Sequence, residues 1–193
     1  MTETYLIVGL GNPGREYRET RHNIGFMLID RLSVRLNARM RRMQSKALVG
    51  SVMHGGAKLI LAKPQTFMNL SGQAIQGLVR FYKIPLENLI VAHDDLDLPF
   101  GTLRLRPGGG AGGQKGIRST IQQLGTQDFP RLRLGIGRPP GRMDAAAYVL
   151  QSFSSGDEQI LSETLDLAAD AALTFIKDGI EKAMNEYNGS AGN

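Results

Sequence analysis

Tyr5-Leu-Ile-Val-Gly9-Leu10 is an aliphatic run of strand character, and it stops at the turn residues Gly11-Asn12-Pro13-Gly14. Gly9, Gly11 and Gly14 match the spacing GxGxxG, so a dinucleotide site is the first hypothesis to test. Its context is wrong. A dinucleotide fold starts a helix inside that loop, whereas here Pro13 and the polar run from Arg15 to His22 offer no apolar helical face. Asp30, at about the distance of a ribose contact, falls inside the helical pattern that follows. Gly108 to Gly113 repeats the spacing after Arg106, but Gln114 stands before Lys115 where a phosphate loop requires glycine. No nucleotide cofactor is expected.

Working outward from this strand, further short aliphatic runs span Ala47 to Met53, Leu59 to Ala62, Leu89 to His93, Thr102 to Arg106 and Leu132 to Ile136. Between them Phe26, Ile29, Leu32 and Leu36 recur at helical spacing. So do Ile75, Leu78, Val79 and Tyr82 after a Ser71 cap, and Ile117, Ile121 and Leu124. The tail, from Ile160 to Ala172, reads as one long helix with acids early, where its dipole favours them. Strands interleaved with helices predict an α/β fold: a mixed, mostly parallel twisted sheet flanked by helices, with the site near strand C-terminal ends. At 193 residues, with no linker or repeat, the expectation is a single domain over 1–193.

The net charge of +5 hides a segregation. Residues 157–193 hold eight acids and two lysines, whereas residues 1–156 hold 21 basic and 10 acidic residues. Within 103–142, Arg104, Arg106, Lys115, Arg118, Arg131, Arg133, Arg138 and Arg142 oppose only Asp128, which points to a polyanion, nucleic acid first. No apolar run approaches the roughly 18 residues of a membrane span, so no membrane partner is expected. The acid in Met-Thr-Glu-Thr argues against an export signal. The absence of cysteine excludes disulfides and thiolate chemistry, and it agrees with a cytoplasmic location.

Catalytic candidates are few. The chain has three histidines, His22, His54 and His93, and lacks GxSxG and HExxH. His54, beside Gly55-Gly56, reads as a solvated hairpin residue. His93-Asp94-Asp95-Leu-Asp97 ends a buried strand where α/β folds place ligands, and alternation points Asp94 to one face and His93 with Asp95 to the other. Three readings stand: a divalent-metal site, a carboxylate that orients a histidine elsewhere, or acids closing a strand without function.

Several blocks taken in order are similar to one family. They are Gly9-Leu-Gly-Asn12-Pro-Gly14; Tyr17; Thr20-Arg-His22-Asn23 with Gly25-Phe26; Lys63-Pro-Gln-Thr-Phe67-Met68-Asn69-Leu-Ser71-Gly72; His93-Asp94-Asp95-Leu-Asp97-Leu-Pro99; Gly108 to Gly113; and Gly135-Ile-Gly137-Arg-Pro139. Together they resemble bacterial-type peptidyl-tRNA hydrolase over nearly the whole chain. The resemblance implies a monomeric, metal-independent esterase, without cofactor, that frees peptide from the 3′ end of peptidyl-tRNA, with the acceptor stem as the nucleic-acid partner.

By that resemblance His22 is the general base for the attacking water and Asp94 the carboxylate that orients it, a division of labour imidazole suits near neutral pH. Asn12 and Asn69 hold the peptide main chain and the attacked carbonyl, since amides donate and accept without adding charge. Asn12 also helps reject substrates with a free amine. Tyr17, Phe67 and Met68 form an apolar wall for the peptide and terminal adenosine. Gly108 to Gly113 reads as a mobile gate, and Arg138 to Ser155 as a second lid. One departure stands out: many members carry His-Asn after the double glycine, where this chain has Gln114-Lys115. Lys115 suits a phosphate contact, and Gln114 is expected to supply the missing amide to the tRNA. The rivals are a non-catalytic RNA-binding relative and a metal-dependent phosphoesterase using Asp94, Asp95 and Asp97.

Overall fold

The computed structural model describes residues 2–189. Its strands are β1 (Thr4–Gly9), β2 (Arg42–Gln44), β3 (Ala47–His54), β4 (Ala57–Pro64), β5 (Leu89–Asp95), β6 (Leu103–Arg106) and β7 (Arg131–Gly135). They form one sheet in the order β2-β3-β4-β1-β5-β7-β6. The central strands β4, β1, β5 and β7 pair in parallel, whereas β2, β3 and β6 pair antiparallel with their neighbours. The expected mixed, mostly parallel sheet is present, and its parallel core explains why β1 and β5 read as continuous aliphatic runs: both faces are covered.

Helices α1 (Ile24–Leu36), α5 (Glu158–Asp178) and α6 (Ile180–Tyr187) cover one face, α2 (Ser71–Tyr82) and α3 (Lys115–Leu124) the other, and the short α4 (Ala145–Val149) lies near the ends of the parallel strands. Alternation divides the core accordingly. Ile7, Ile90 and Ala92 pack with Leu28, Leu32, Ala168 and Ala172, while Leu6, Val8 and Val91 pack with Ile75, Leu78 and Ile117.

One sequence expectation changes, and two elements were not foreseen. Ser71 does not cap α2; it is the first helical residue, and its Oγ donates to the Met68 carbonyl at 2.7 Å. The long helix read over 160–172 is present within α5; what was not foreseen is its end at Gly179, whose φ of 91° no other residue adopts without strain, and the further helix α6. The strand β2 was not foreseen, because three residues reading Arg-Met-Gln carry no aliphatic signal.

The acidic tail is partly spent inside the fold. Arg31 donates to Asp166 at 2.6 Å and Arg35 to Asp170 at 2.6 Å, stitching α1 to α5, and the hydrogen bond from Arg31 holds the Asp166 carboxyl below its usual range. Beyond α6 the Asn188 side chain accepts from Leu105 N–H at 2.7 Å and donates to Leu105 C=O at 2.9 Å, closing the sheet edge at β6. No helix among the described residues is long and apolar enough to cross a membrane.

Candidate active site

At the C-terminal ends of β1, β4 and β5 lies a cleft of about 560 Å³, bordered by Asn12, His22, Phe67, Met68, Asn69, Asp94, Gln114 and Lys115. A close backbone approach brings the first two into reach of β5. A Cβ on Gly9 would lie 2.0 Å from the Gly25 carbonyl oxygen, and one on Gly25 would lie 2.5 Å from Leu10 N, so β1 and the start of α1 touch backbone to backbone. Of the glycines that mimic a dinucleotide fingerprint, Gly9 serves this packing, Gly11 lies against the Phe26 ring and Gly14 takes a φ of 115° in the turn; α1 begins only at Ile24.

The tight turn Arg21–Asn23 precedes α1 and presents His22 to Asp94 across the end of β5. His22 Nδ1 lies 2.7 Å from Asp94 Oδ2, and the two side chains are 13% and 4% exposed. An ionised carboxylate only accepts, so Nδ1 carries the proton and Nε2 keeps a lone pair on a ring that lines the cleft. The arrangement can take a proton from a bound water.

Asn12 is buried and its amide has a fixed orientation. Met68 N–H donates to Asn12 Oδ1 at 2.7 Å, which leaves Nδ2 as a pair of donors. Asn23 holds the Asn12 backbone from both sides, accepting from its N–H at 2.8 Å and donating to its carbonyl at 2.9 Å. Asn23 had no assigned role in the sequence reading; its signal was an amide directly after the histidine and before an apolar helix, and it is fully buried here. Asn69 is exposed at the cleft, as is Phe67, while Met68 is buried in its wall. Tyr17 is not among the residues that line the cleft. It is half-buried in the turn Arg15–Tyr17, and its carbonyl accepts from Thr20.

The acidic cluster divides as alternation requires. Asp94 faces His22, Asp95 pairs with Arg133 at 2.6 Å, and Asp97 pairs with Arg138. Each of the three acids thus has its own protein partner, and among the described residues no three His, Cys, Asp or Glu side chains converge as a metal-ligand set. His93 is buried, its Nδ1 donating to the Asp94 carbonyl at 2.8 Å, and burial pushes its pKa below the ordinary 6.5.

The basic stretch is also partly consumed. Arg131 is buried and donates to the carbonyls of Gly109, Gly110, Gln127 and Phe129; burial, then Arg106 nearby, lowers its pKa to about 10. It clamps one half of the loop expected to be a mobile gate, leaving Gly112 and Gly113 exposed at the rim. Arg133 and Arg138 are paired with acids, Arg138 while remaining exposed, and Arg104, Arg106, Lys115, Arg118 and Arg142 of this stretch are exposed as well. The segment read as a second lid is tethered: Tyr148 Oη donates to the Ile136 carbonyl at 3.0 Å, and Arg21 stacks on Tyr148 at 4.3 Å. Gln114 borders the cleft but is only 8% exposed, its side-chain amide turned inward onto Asp94 and Ile117. Lys115 is exposed on the rim.

Fold and site together define a three-layer α/β protein with a histidine–carboxylate pair and convergent amides in a cleft at the strand ends. Residues 6–193 match the family model described as "Peptidyl-tRNA hydrolase", and the chain belongs to that family. It is 51% identical to the peptidyl-tRNA hydrolase of Alkaliphilus metalliredigens over 185 residues, 96% of this chain and 100% of the relative. To that of Chloroflexus aurantiacus it is 52% identical over 187 residues, 95% and 98% of the two chains. The crystal structure of peptidyl-tRNA hydrolase from Acinetobacter baumannii superposes with a TM-score of 0.90 at 34% identity, covering 98% of this chain and 96% of that one.

Proposed function

We propose that the chain hydrolyses the ester between a peptide and the 3′ end of tRNA, with His22 as general base. The observation that carries this reading is the 2.7 Å contact between His22 Nδ1 and Asp94 in a cleft large enough for a peptidyl ester. A water beside Nε2 attacks the ester carbonyl and its proton passes to His22. The imidazolium is stabilised by Asp94, and the negative charge moves to the carbonyl oxygen. The Asn12 Nδ2 donors, held in place by Met68 and Asn23, and the Asn69 amide are suited to that oxyanion and to the peptide main chain. Collapse of the intermediate expels the ribose oxygen, which recovers a proton from His22, and peptide and tRNA separate.

The apolar rim around Phe67 and Met68 suits the peptide and a terminal base. Exposed Lys115, Arg106 and Arg104 suit the phosphates of the acceptor stem. The same reading has the protein acting as a cytoplasmic monomer without a metal. The test is peptide release from N-acyl-aminoacyl-tRNA beside a free-amine aminoacyl-tRNA, with and without EDTA, with the mass in solution measured alongside. Fast release from the first alone, unchanged by the chelator, is expected. No release would leave tRNA binding without catalysis, and inhibition by EDTA would restore a metal mechanism.

A further inference from the structure

Gln114 is the N-cap of α3, and its amide is oriented by a group that can only donate. Ile117 N–H gives its proton to Gln114 Oε1 at 2.8 Å, so Nε2 must point the other way, where Asp94 Oδ1 accepts from it at 3.0 Å. Asp94 Oδ2 is then left for His22 Nδ1. One chain of hydrogen bonds thus runs from a backbone amide in the first turn of α3 to the imidazole, and each link fixes the direction of the next. Gln114 Nε2 also lies 3.3 Å from Met68 Sδ, and Met68 N–H holds Asn12, so the same amide borders the second arm of the site.

We infer that Gln114 is a positioning residue: through Asp94 it sets the tautomer and angle of His22, and it does not contact tRNA. The inference rests on the His22 base reading above. Three features support it. The amide oxygen accepts from Ile117 N–H, its two N–H groups are directed at Asp94 Oδ1 and Met68 Sδ, and the residue is buried, so the amide is committed within the protein. The Nε2–H donated to Oδ1 leaves Oδ2, the oxygen that must stabilise an imidazolium, to accept from Nδ1. The amide has no ionisation of its own, so its hold on Asp94 does not depend on a titration of residue 114. Other charged groups near the pair are already disposed: Asp95 on Arg133, His93 Nδ1 on the Asp94 carbonyl, and Lys115 out on the rim.

The test compares Gln114→Ser, Gln114→Glu and Gln114→His in single-turnover and steady-state hydrolysis of an N-acyl-aminoacyl-tRNA. Serine keeps a cap for α3 but cannot reach Asp94, and glutamate keeps both length and cap while facing Asp94 with a like charge. Each should lower kcat about 10- to 100-fold, the effect of losing a hydrogen bond to a charged group, with KM near wild type. In Gln114→Glu the added charge favours imidazolium, so the acid limb of the kcat profile should move to higher pH. Gln114→His, which can accept from Ile117 and donate to Asp94, should recover most of the rate. Wild-type kcat in the serine variant would overturn the inference, as would a raised KM with kcat intact or an unmoved acid limb in the glutamate variant. If the serine variant fails to fold, the glutamate profile decides alone. His22→Ala run in parallel separates the levels: if it hydrolyses at the wild-type rate, the base reading itself falls.

Discussion

Replacing Asp94 with asparagine keeps the shape of the pair and removes its charge, and the hydrogen-bond directions show what must follow. The side chain accepts from two donors, His22 Nδ1 at 2.7 Å and Gln114 Nε2 at 3.0 Å. An amide has one oxygen, so its NH₂ must face one of them. Because Gln114 is fixed by Ile117, the oxygen stays with Gln114 and the NH₂ turns to His22. His22 can meet it only by moving its proton to Nε2, which removes the lone pair the mechanism needs. Two losses combine: a charge-assisted hydrogen bond of about 1.5–3 kcal/mol, and the attraction between carboxylate and imidazolium, at most about 4 kcal/mol at 4 Å with an effective dielectric of 20. Allowing for their overlap, the barrier should rise by about 3–5 kcal/mol and kcat fall about 10²- to 10⁴-fold. Single-turnover release of labelled peptide gives the rate, filter binding of uncharged tRNA the affinity, and thermal unfolding the integrity of the variant. Asp94→Asn retaining a rate within about tenfold of wild type, a loss of under 1.4 kcal/mol, would refute the tautomer argument. So would an equal loss of tRNA affinity.

Asn12→Asp keeps the acceptor for Met68 N–H but replaces the Nδ2 donors with negative charge, so kcat should fall about 10²- to 10³-fold while tRNA affinity holds; a purely tRNA-binding defect would contradict it. Lys115→Asn should flatten the plot of log affinity against log salt by about 0.7, one phosphate at a single-stranded end, with turnover at saturation little changed. Burial lowers the pKa of His93 in the folded state, so the unfolded chain binds the extra proton first as pH falls. The stability from neutral His93 is therefore present above about pH 6.5 and lost as pH falls through the folded value, by up to about 1.4 kcal/mol per pH unit. Urea unfolding between pH 7.5 and 5 should show this decline, and His93→Gln should flatten it.

The layered fold was legible because its central strands are aliphatic on both faces and its helices keep their spacing. The boundaries missed are those where the deciding contact is remote in sequence. Ser71 resembles a cap by type, but its hydroxyl is taken by the Met68 carbonyl. Gln114, which shows no cap signature beyond its position, caps α3. His22 and Asp94 were legible as types from the residues themselves but as a pair only through the family resemblance, since 72 residues separate them; the close Gly9–Gly25 approach is part of what brings them together. The basic stretch overstated the free charge for the same reason. The partners of Arg133 and Arg138 lie back on the acidic cluster, and the partners of Arg131 are backbone carbonyls that no residue type announces.

The most direct measurement is single-turnover hydrolysis of an N-acyl-aminoacyl-tRNA by His22→Ala beside wild type, with tRNA affinity measured on the same preparations. A loss of about 10²- to 10⁴-fold in rate at unchanged affinity is the predicted result. Hydrolysis by His22→Ala at a rate close to wild type would contradict the assignment of His22 as the base.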